Sequence, residues 1–323
     1  MKRGLFLIVL LAAMLLLGGC GQDDEKLITF SDSGIQSDLI GVNVDGTQLT
    51  ITQAGTYTIT GTCADGNIIV DAPGGKVVDL VLSDLNLTCS RTAPIVVKSG
   101  SMVVLTLKEK TQNIITDNHT YSETVDQGEQ SADDLLSEIP DAAISSKSPL
   151  MIRANGDGKL VVNANSYNGI VSSDTLTIES GVINVTAKNH GIRGKDYVLI
   201  SGGVITVKAG EDGIKSTNTE RPGLGYINFK GGVVNIQAGD EAVIAPRSVN
   251  FSGGTITIKS KNIGIKVGTK TGADGTLTGG TVNFMAGIVD ITSSDDAILA
   301  EKQTKQDSAL VTANGKDYSP ETK

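Results

Sequence analysis

A short motif, glycine followed by alternating β-branched residues, recurs through the second half of this chain and limits its fold more than any other feature. It reads Gly181-Val-Ile-Asn-Val185, Gly203-Val-Ile-Thr-Val207, Gly232-Val-Val-Asn-Ile236, Gly254-Thr-Ile-Thr-Ile258 and Gly287-Ile-Val-Asp-Ile291, at spacings of 22, 29, 22 and 33 residues. An apolar residue follows each glycine by 11 positions (Ile192, Ile214, Val243, Ile265 and Ile298), always preceded by Gly or Ala. Gly158 with Ile170, and Asp141-Ala-Ala-Ile144, extend the pattern upstream, while Leu150, Leu176, Val198, Ile227 and Val249 mark another strand of each copy. Period-2 alternation punctuated by Gly, Asn and Asp specifies short strands and tight turns with no helix between them.

A unit of about 22 residues cannot bury its apolar face alone, so the units must stack. Stacking at the ~4.8 Å strand spacing aligns equivalent residues in ladders and gives an all-β parallel β-helix with about 22 residues per turn. Strand-like segments from Leu49-Thr-Ile51 to Val103–Leu107 read as its opening turns, which places the solenoid at residues 45–300. Residues 117–140 break the rhythm, carry Asp126, Glu129, Asp133, Asp134 and Glu138, and read as a long inserted loop with a short helix around Ser131–Glu138. The other insertions are expected at one place per repeat. The polar tail 301–323 lacks the repeat and is expected to cap the open end.

Composition narrows the partners. The formal charge of −9 argues against nucleic acid, whose binding needs a basic footprint. With no Trp and only 6 Tyr and 5 Phe in 323 residues, a row of aromatic faces for crystalline cellulose is also disfavoured. At the N-terminus, Lys2 and Arg3 precede an apolar run from Leu5 to Leu17 that ends in Leu17-Gly18-Gly19-Cys20. The run is too short to span a bilayer and resembles a bacterial lipoprotein signal. Residues 1–19 are then a signal peptide, Cys20 the lipidation site, and 20–44 a tether. The chain is expected to be an exported, surface-anchored envelope lipoprotein that touches the membrane through its lipid only. Cys63 and Cys89 lie 26 residues apart, close to one repeat. They are either a disulfide between stacked turns or two small buried hydrophobes.

The turn ladders carry the candidate chemistry. Two positions before each core residue stand Ala142, Asn168, His190, Asp212, Glu241, Ile263 and Asp296; one further back stand Asp141, Tyr167, Asn189, Glu211, Asp240, Asn262 and Asp295. Carboxylates on neighbouring turns repel by roughly 3–4 kcal/mol at an effective dielectric of 20. Ca²⁺, which takes several oxygens in flexible geometry, would relieve this, although Asp and Asn also suit turns that face water. Candidate metal ligands are Glu211, Asp212, Asp240 and Glu241, with Asp196, Asp295 and Asp296. His190 is read as a turn residue filling a ladder slot. One position after the core residue come Arg193, Lys215 and Lys266. With Lys195 and Tyr197 they form the candidate ligand-binding set, as cations for sugar carboxylates or as a salt-bridged surface. If the chain were a lyase, Lys195 or Lys215 would be its base, because Arg193 stays protonated.

The order Ala54-Gly-Thr-Tyr-Thr-Ile-Thr-Gly-Thr62, Asn113-Ile-Ile-Thr-Asp117, Asp141-Ala-Ala-Ile144, Gly191-Ile-Arg-Gly-Lys-Asp196 and Asp212-Gly-Ile-Lys215 resembles the secreted bacterial family of carbohydrate-binding domain-containing proteins. That resemblance implies a right-handed, pectate-lyase-like β-helix that binds cell-wall polysaccharide, such as polygalacturonate or cellulose, with calcium. The expected function is therefore a monomeric, calcium-dependent polysaccharide-binding protein. The alternatives are a calcium-dependent polysaccharide lyase and an adhesive surface solenoid.

Overall fold

The computed structural model describes residues 27–120, 140–270 and 277–320. The signal peptide, Cys20 and the helix expected around Ser131–Glu138 lie outside the described residues. Within them the regular elements are all β-strands, and no helix is long and apolar enough to cross a membrane.

One turn shows the plan of the rest. A short strand, Ile192–Gly194, turns a corner into Tyr197–Ile200, turns again into Val204–Ala209, and a third corner leads to Ile214–Ser216, directly beside the starting strand. Ile192 pairs in parallel with Ile214, Val198 with Ile227 and Ile205 with Val234. Each turn thus adds one strand to each of three faces. The first face is a separate 11-stranded sheet; the second and third are joined in a 19-stranded sheet by strands such as Ser248–Ser260 and Thr281–Ser293, which run on through the corner between them.

The alternation read from the sequence sorts each strand into an inner and an outer side. Ile, Val and Leu ladders fill the lumen, where Ile205, Ile227 and Ile256 have no exposed surface. Phe229, Phe251 and Phe284 stack at 4.9 and 5.0 Å, and Tyr318 closes the column edge-on at 5.7 Å. Fully burying one such side chain contributes roughly 1.5–3 kcal/mol, so the core is a sum of nearly equal layers.

The recurrent glycine lies at the corner between the second and third faces. Gly203, Gly232, Gly254 and Gly287 all have φ between +87° and +94°. A Cβ on Gly232 would stand 2.6 Å from the carbonyl oxygen of Gly203 in the turn before it. Left-handed backbone and close stacking both require glycine here, which is why the motif is so regular in sequence.

The structure corrects two expectations, bears out a third and decides a fourth that was left open. Residues read as tether belong to the body: Leu27–Phe30 pairs in parallel with Thr58–Gly61, burying Ile28 and Phe30, and Val42–Asp45 folds antiparallel onto Gln48–Ile51. The tail is more than a cap, because Lys302–Lys305 and Ala309–Ala313 extend the second and third faces before Lys316–Asp317 folds back on the last strand. The insertions between Ile214–Ser216 and Tyr226–Phe229 and between Ile265–Val267 and Thr281–Ser293 both leave between the first and second faces, the one place per repeat that was expected. Finally, Cys63 and Cys89 are free buried thiols. Leu87, not Cys89, lies opposite Cys63, and the two-residue offset separates the cysteines by about 8 Å, beyond disulfide reach. Burial pushes the Cys89 thiol up.

Candidate functional site

The corner between the third and first faces gathers the ionisable residues. The core column runs Ile144, Ile170, Ile192, Ile214, Val243, Ile265 and Ile298 in unbroken parallel register. The side chains two and three positions before these residues therefore stack from turn to turn as the sequence implies.

Carboxylates and cations interlock along this edge. On the earlier turns Asp141 Oδ2 accepts from Asn168 Nδ2 at 3.0 Å and from Arg193 Nη2 at 2.8 Å, so Arg193 reaches back across two turns. His190 N donates to Asn168 Oδ1 at 3.1 Å, and His190 Nδ1 accepts the Asp212 N–H at 3.3 Å. The same Nδ1 stands 3.3 Å from Asp212 Oδ2, which also takes Lys215 Nζ at 3.0 Å. One turn on, Lys266 Nζ pairs with Glu241 Oε1, and Asn262 Nδ2 donates to Asp240 Oδ1 at 2.6 Å. Asp212 and Glu241 are buried, and Asp240 is half-buried.

Asp212, Asp240 and Glu241 each offer one ligand atom, all within 4.8 Å of one another. Like charges so close need compensation, and Lys215 and Lys266 supply part of it. Three oxygen donors from two adjacent turns suit a hard cation. Asp212, Asp240 and Glu241 are the residues that would hold one; its charge would relieve the repulsion and leave coordination positions open to oxygens of a ligand.

The other predicted site residues disperse. Glu211 is exposed and lies outside the cluster, as do Asp295 and Asp296, which sit on the last turns. Asp196 stands at the opposite corner of the first face, where it accepts from Asn218 Nδ2 at 2.5 Å and Arg221 Nη2 at 2.6 Å and clasps the 217–225 insertion. Lys195 is exposed at that same corner, and its carbonyl accepts the N–H groups of Thr217 and Asn218. Lys215 is central in its first-face strand, in register with Arg193 and paired with Asp212, so Lys195 stands two positions further along, at the other corner. Arg193, Lys215 and Lys266 all come to the acidic corner but are engaged by its carboxylates. Tyr197 stacks on Tyr226 at 5.0 Å with 9° between the rings, so the two use faces on each other. Burial, then the neighbouring Tyr197 and Asp196, push the Tyr226 phenol up. Sequence reading had not assigned a site role to Asp141, the partner of Arg193; the signal was its place in the same column as Glu211 and Asp240.

Comparison with known proteins agrees with this architecture. A solved polysaccharide lyase-like protein from C. thermocellum, determined as a gadolinium derivative, is similar over 88% of this chain and 98% of its own, with a TM-score of 0.67 and 31% identity. A carbohydrate-binding domain-containing protein of Acetivibrio thermocellus is 35% identical over 166 residues, 51% of this chain. The chain spans about half the length of that curated relative, 54%. A family model described as carbohydrate-binding domain-containing protein matches residues 45–318, and with the parallel β-helix in place the chain belongs to that family.

Proposed function

We propose that this protein binds polysaccharide at the bacterial cell surface, anchored through a lipid on Cys20, and that calcium held by Asp212, Asp240 and Glu241 strengthens the binding. Family membership supports the carbohydrate partner. The observation that carries the calcium reading is the approach of three carboxylates from neighbouring turns within 4.8 Å, since such a group is most stable with a divalent ion among its oxygens. Gadolinium, used in the solved relative, is likewise a hard, oxygen-seeking cation.

Binding without chemistry fits this corner better than elimination does. A lyase base must reach the sugar proton beside the metal. Lys215 is held by Asp212, and Lys195 stands at the far corner. The test is retention of the full-length chain on polygalacturonate and on cellulose, in calcium and in chelator, while absorbance reports unsaturated uronate products. Calcium-dependent retention without product is the expected result. Product formation replaces the reading with a lyase, and retention indifferent to chelator removes calcium from it. Incorporation of labelled fatty acid that Cys20→Ala abolishes is expected if the anchor is correct.

A further inference from the structure

We infer that the outer side of the third face is a platform on which an anionic polysaccharide lies lengthwise along the solenoid; this rests on the polysaccharide-binding reading above. Three columns of outward side chains run along that face, one residue per turn. The first holds Val182, Val204, Val233, Thr255, Ile288 and Leu310 in register. Val204, Val233, Ile288 and Leu310 are 43–64% exposed, whereas the Ile and Val residues of the lumen are near zero. Beside it runs a column of hydroxyls and amides, Thr206, Asn235 and Thr257, that continues to Asp290, whose carboxylate accepts from the Thr312 hydroxyl near the C-terminal end of the face.

The far flank is cationic. Lys208 and Lys259 stand in the third column, and Lys188 and Lys261 immediately after the strands Val182–Ala187 and Ser248–Ser260. All four are exposed, and among the described residues none is in an ion pair. At the acidic corner, by contrast, Arg193, Lys215 and Lys266 are all engaged by carboxylates. In a chain of net charge −9, a strip of unpaired ammonium groups is complementary to a polyanion and of no use to a neutral glucan.

The three columns match the three kinds of surface on a uronate chain. Ring C–H faces rest on the aliphatic column, hydroxyls meet the Thr and Asn column, and carboxylates reach the lysines. The ~4.8 Å turn spacing is about the length of one pyranose residue, so contacts repeat along the axis. The platform is continuous with the acidic corner, because Lys188 and Lys261 directly precede Asn189 and Asn262, which align with Glu211 and Asp240. A chain on the third face therefore reaches the edge of the carboxylate cluster.

The experiment compares retention of the full-length protein on polygalacturonate and on the same polymer with its carboxylates reduced to alcohols. It uses wild type, K188Q/K208Q/K259Q/K261Q and V204D/V233D, with thermal unfolding as the check on folding. Wild type is expected to prefer the anionic polymer, with retention falling as salt rises. Each variant is expected to bind it about tenfold or more weakly while unfolding at the wild-type temperature. If wild type binds polygalacturonate and the variants bind equally well, the platform is overturned and the polysaccharide reading stands. Equal binding of both polymers overturns the anionic preference. If wild type binds neither, the reading and the inference fail together. Loss in the variants of self-association, or of retention on phosphatidylserine vesicles, in place of polygalacturonate retention gives the face to another occupant.

Discussion

Two corners of the same turn obey one stacking rule and meet opposite consequences. At the corner between the second and third faces, repetition places glycine on glycine, and nothing but a backbone contact results. Between the third and first faces, repetition places carboxylate on carboxylate at Asp212, Asp240 and Glu241, and compensation comes from Lys215, Lys266 and Asn262, as Arg193 supplies it to Asp141. The first corner tolerates one residue type because the constraint is steric. The second varies from turn to turn because charge can be balanced in several ways, and that freedom is where a binding site can form.

The largest effect is expected from putting a side chain into the glycine corner. Gly232→Ala forces a Cβ against the Gly203 carbonyl oxygen in left-handed backbone and should cost about 3 kcal/mol or more in denaturant unfolding. A near-neutral result would mean the corner is looser than its stacking. At the acidic corner, Lys266→Met keeps the aliphatic stem but leaves buried Glu241 without its cation. A loss of about 1–3 kcal/mol is expected, shrinking when calcium is added.

Removing a charge there should have the opposite sign. Asp240→Asn relieves repulsion among the three carboxylates and should stabilise the calcium-free protein by up to about 1 kcal/mol. It should also diminish the upward shift of melting temperature that calcium produces in wild type. Asp212→Ala combined with Glu241→Ala should abolish that shift, and unchanged melting with and without chelator in wild type would remove the metal from the corner.

The smallest effect concerns a corner near the start of the solenoid. The Ser90 N–H, donating to Asp65 Oδ1 at 2.9 Å, is the main cause holding the Asp65 carboxyl below its ordinary 3.8, helped by the Ser90 hydroxyl and Arg91. A depressed carboxylate pKa stabilises above the unfolded value and is lost as pH falls through the folded one. Asp65→Asn should therefore flatten the acid limb of the stability curve below about pH 4 and leave neutral pH little changed. An identical acid limb in both proteins would show that the clasp adds nothing to folding.

Much of the architecture was legible in the residues themselves. The 11-residue step from Gly203 to Ile214 spans one face and a corner, and its recurrence identified the columns that the strand register reproduces. The acidic cluster was legible to the same degree, since Asp212 and Glu241 occupy equivalent positions and neighbouring turns must bring them together. Glu211 was read with it although its side chain is exposed; Asp196 serves the opposite corner of the first face, and Asp295 and Asp296 stand at the same corner two turns further on. The terminal strands were missed because Leu27–Phe30 and Lys302–Lys305 lack the glycine signature. Edge turns have only one neighbour to match, so their sequences drift from the repeat while their backbone hydrogen bonds continue it.

Period and alternation by themselves determined a parallel β-helix and which residues face its lumen, because strand geometry allows one inward set once the repeat is known. Tertiary structure alone decided the fate of the charges. A long Arg or Lys side chain can span more than one ~4.8 Å step, so its partner is chosen among several turns by packing and field rather than by spacing. That is why Arg193 reaches Asp141 across two turns while Lys215 stays with Asp212 on its own, and why Lys208 and Lys259, on the third face, are paired with no carboxylate among the described residues.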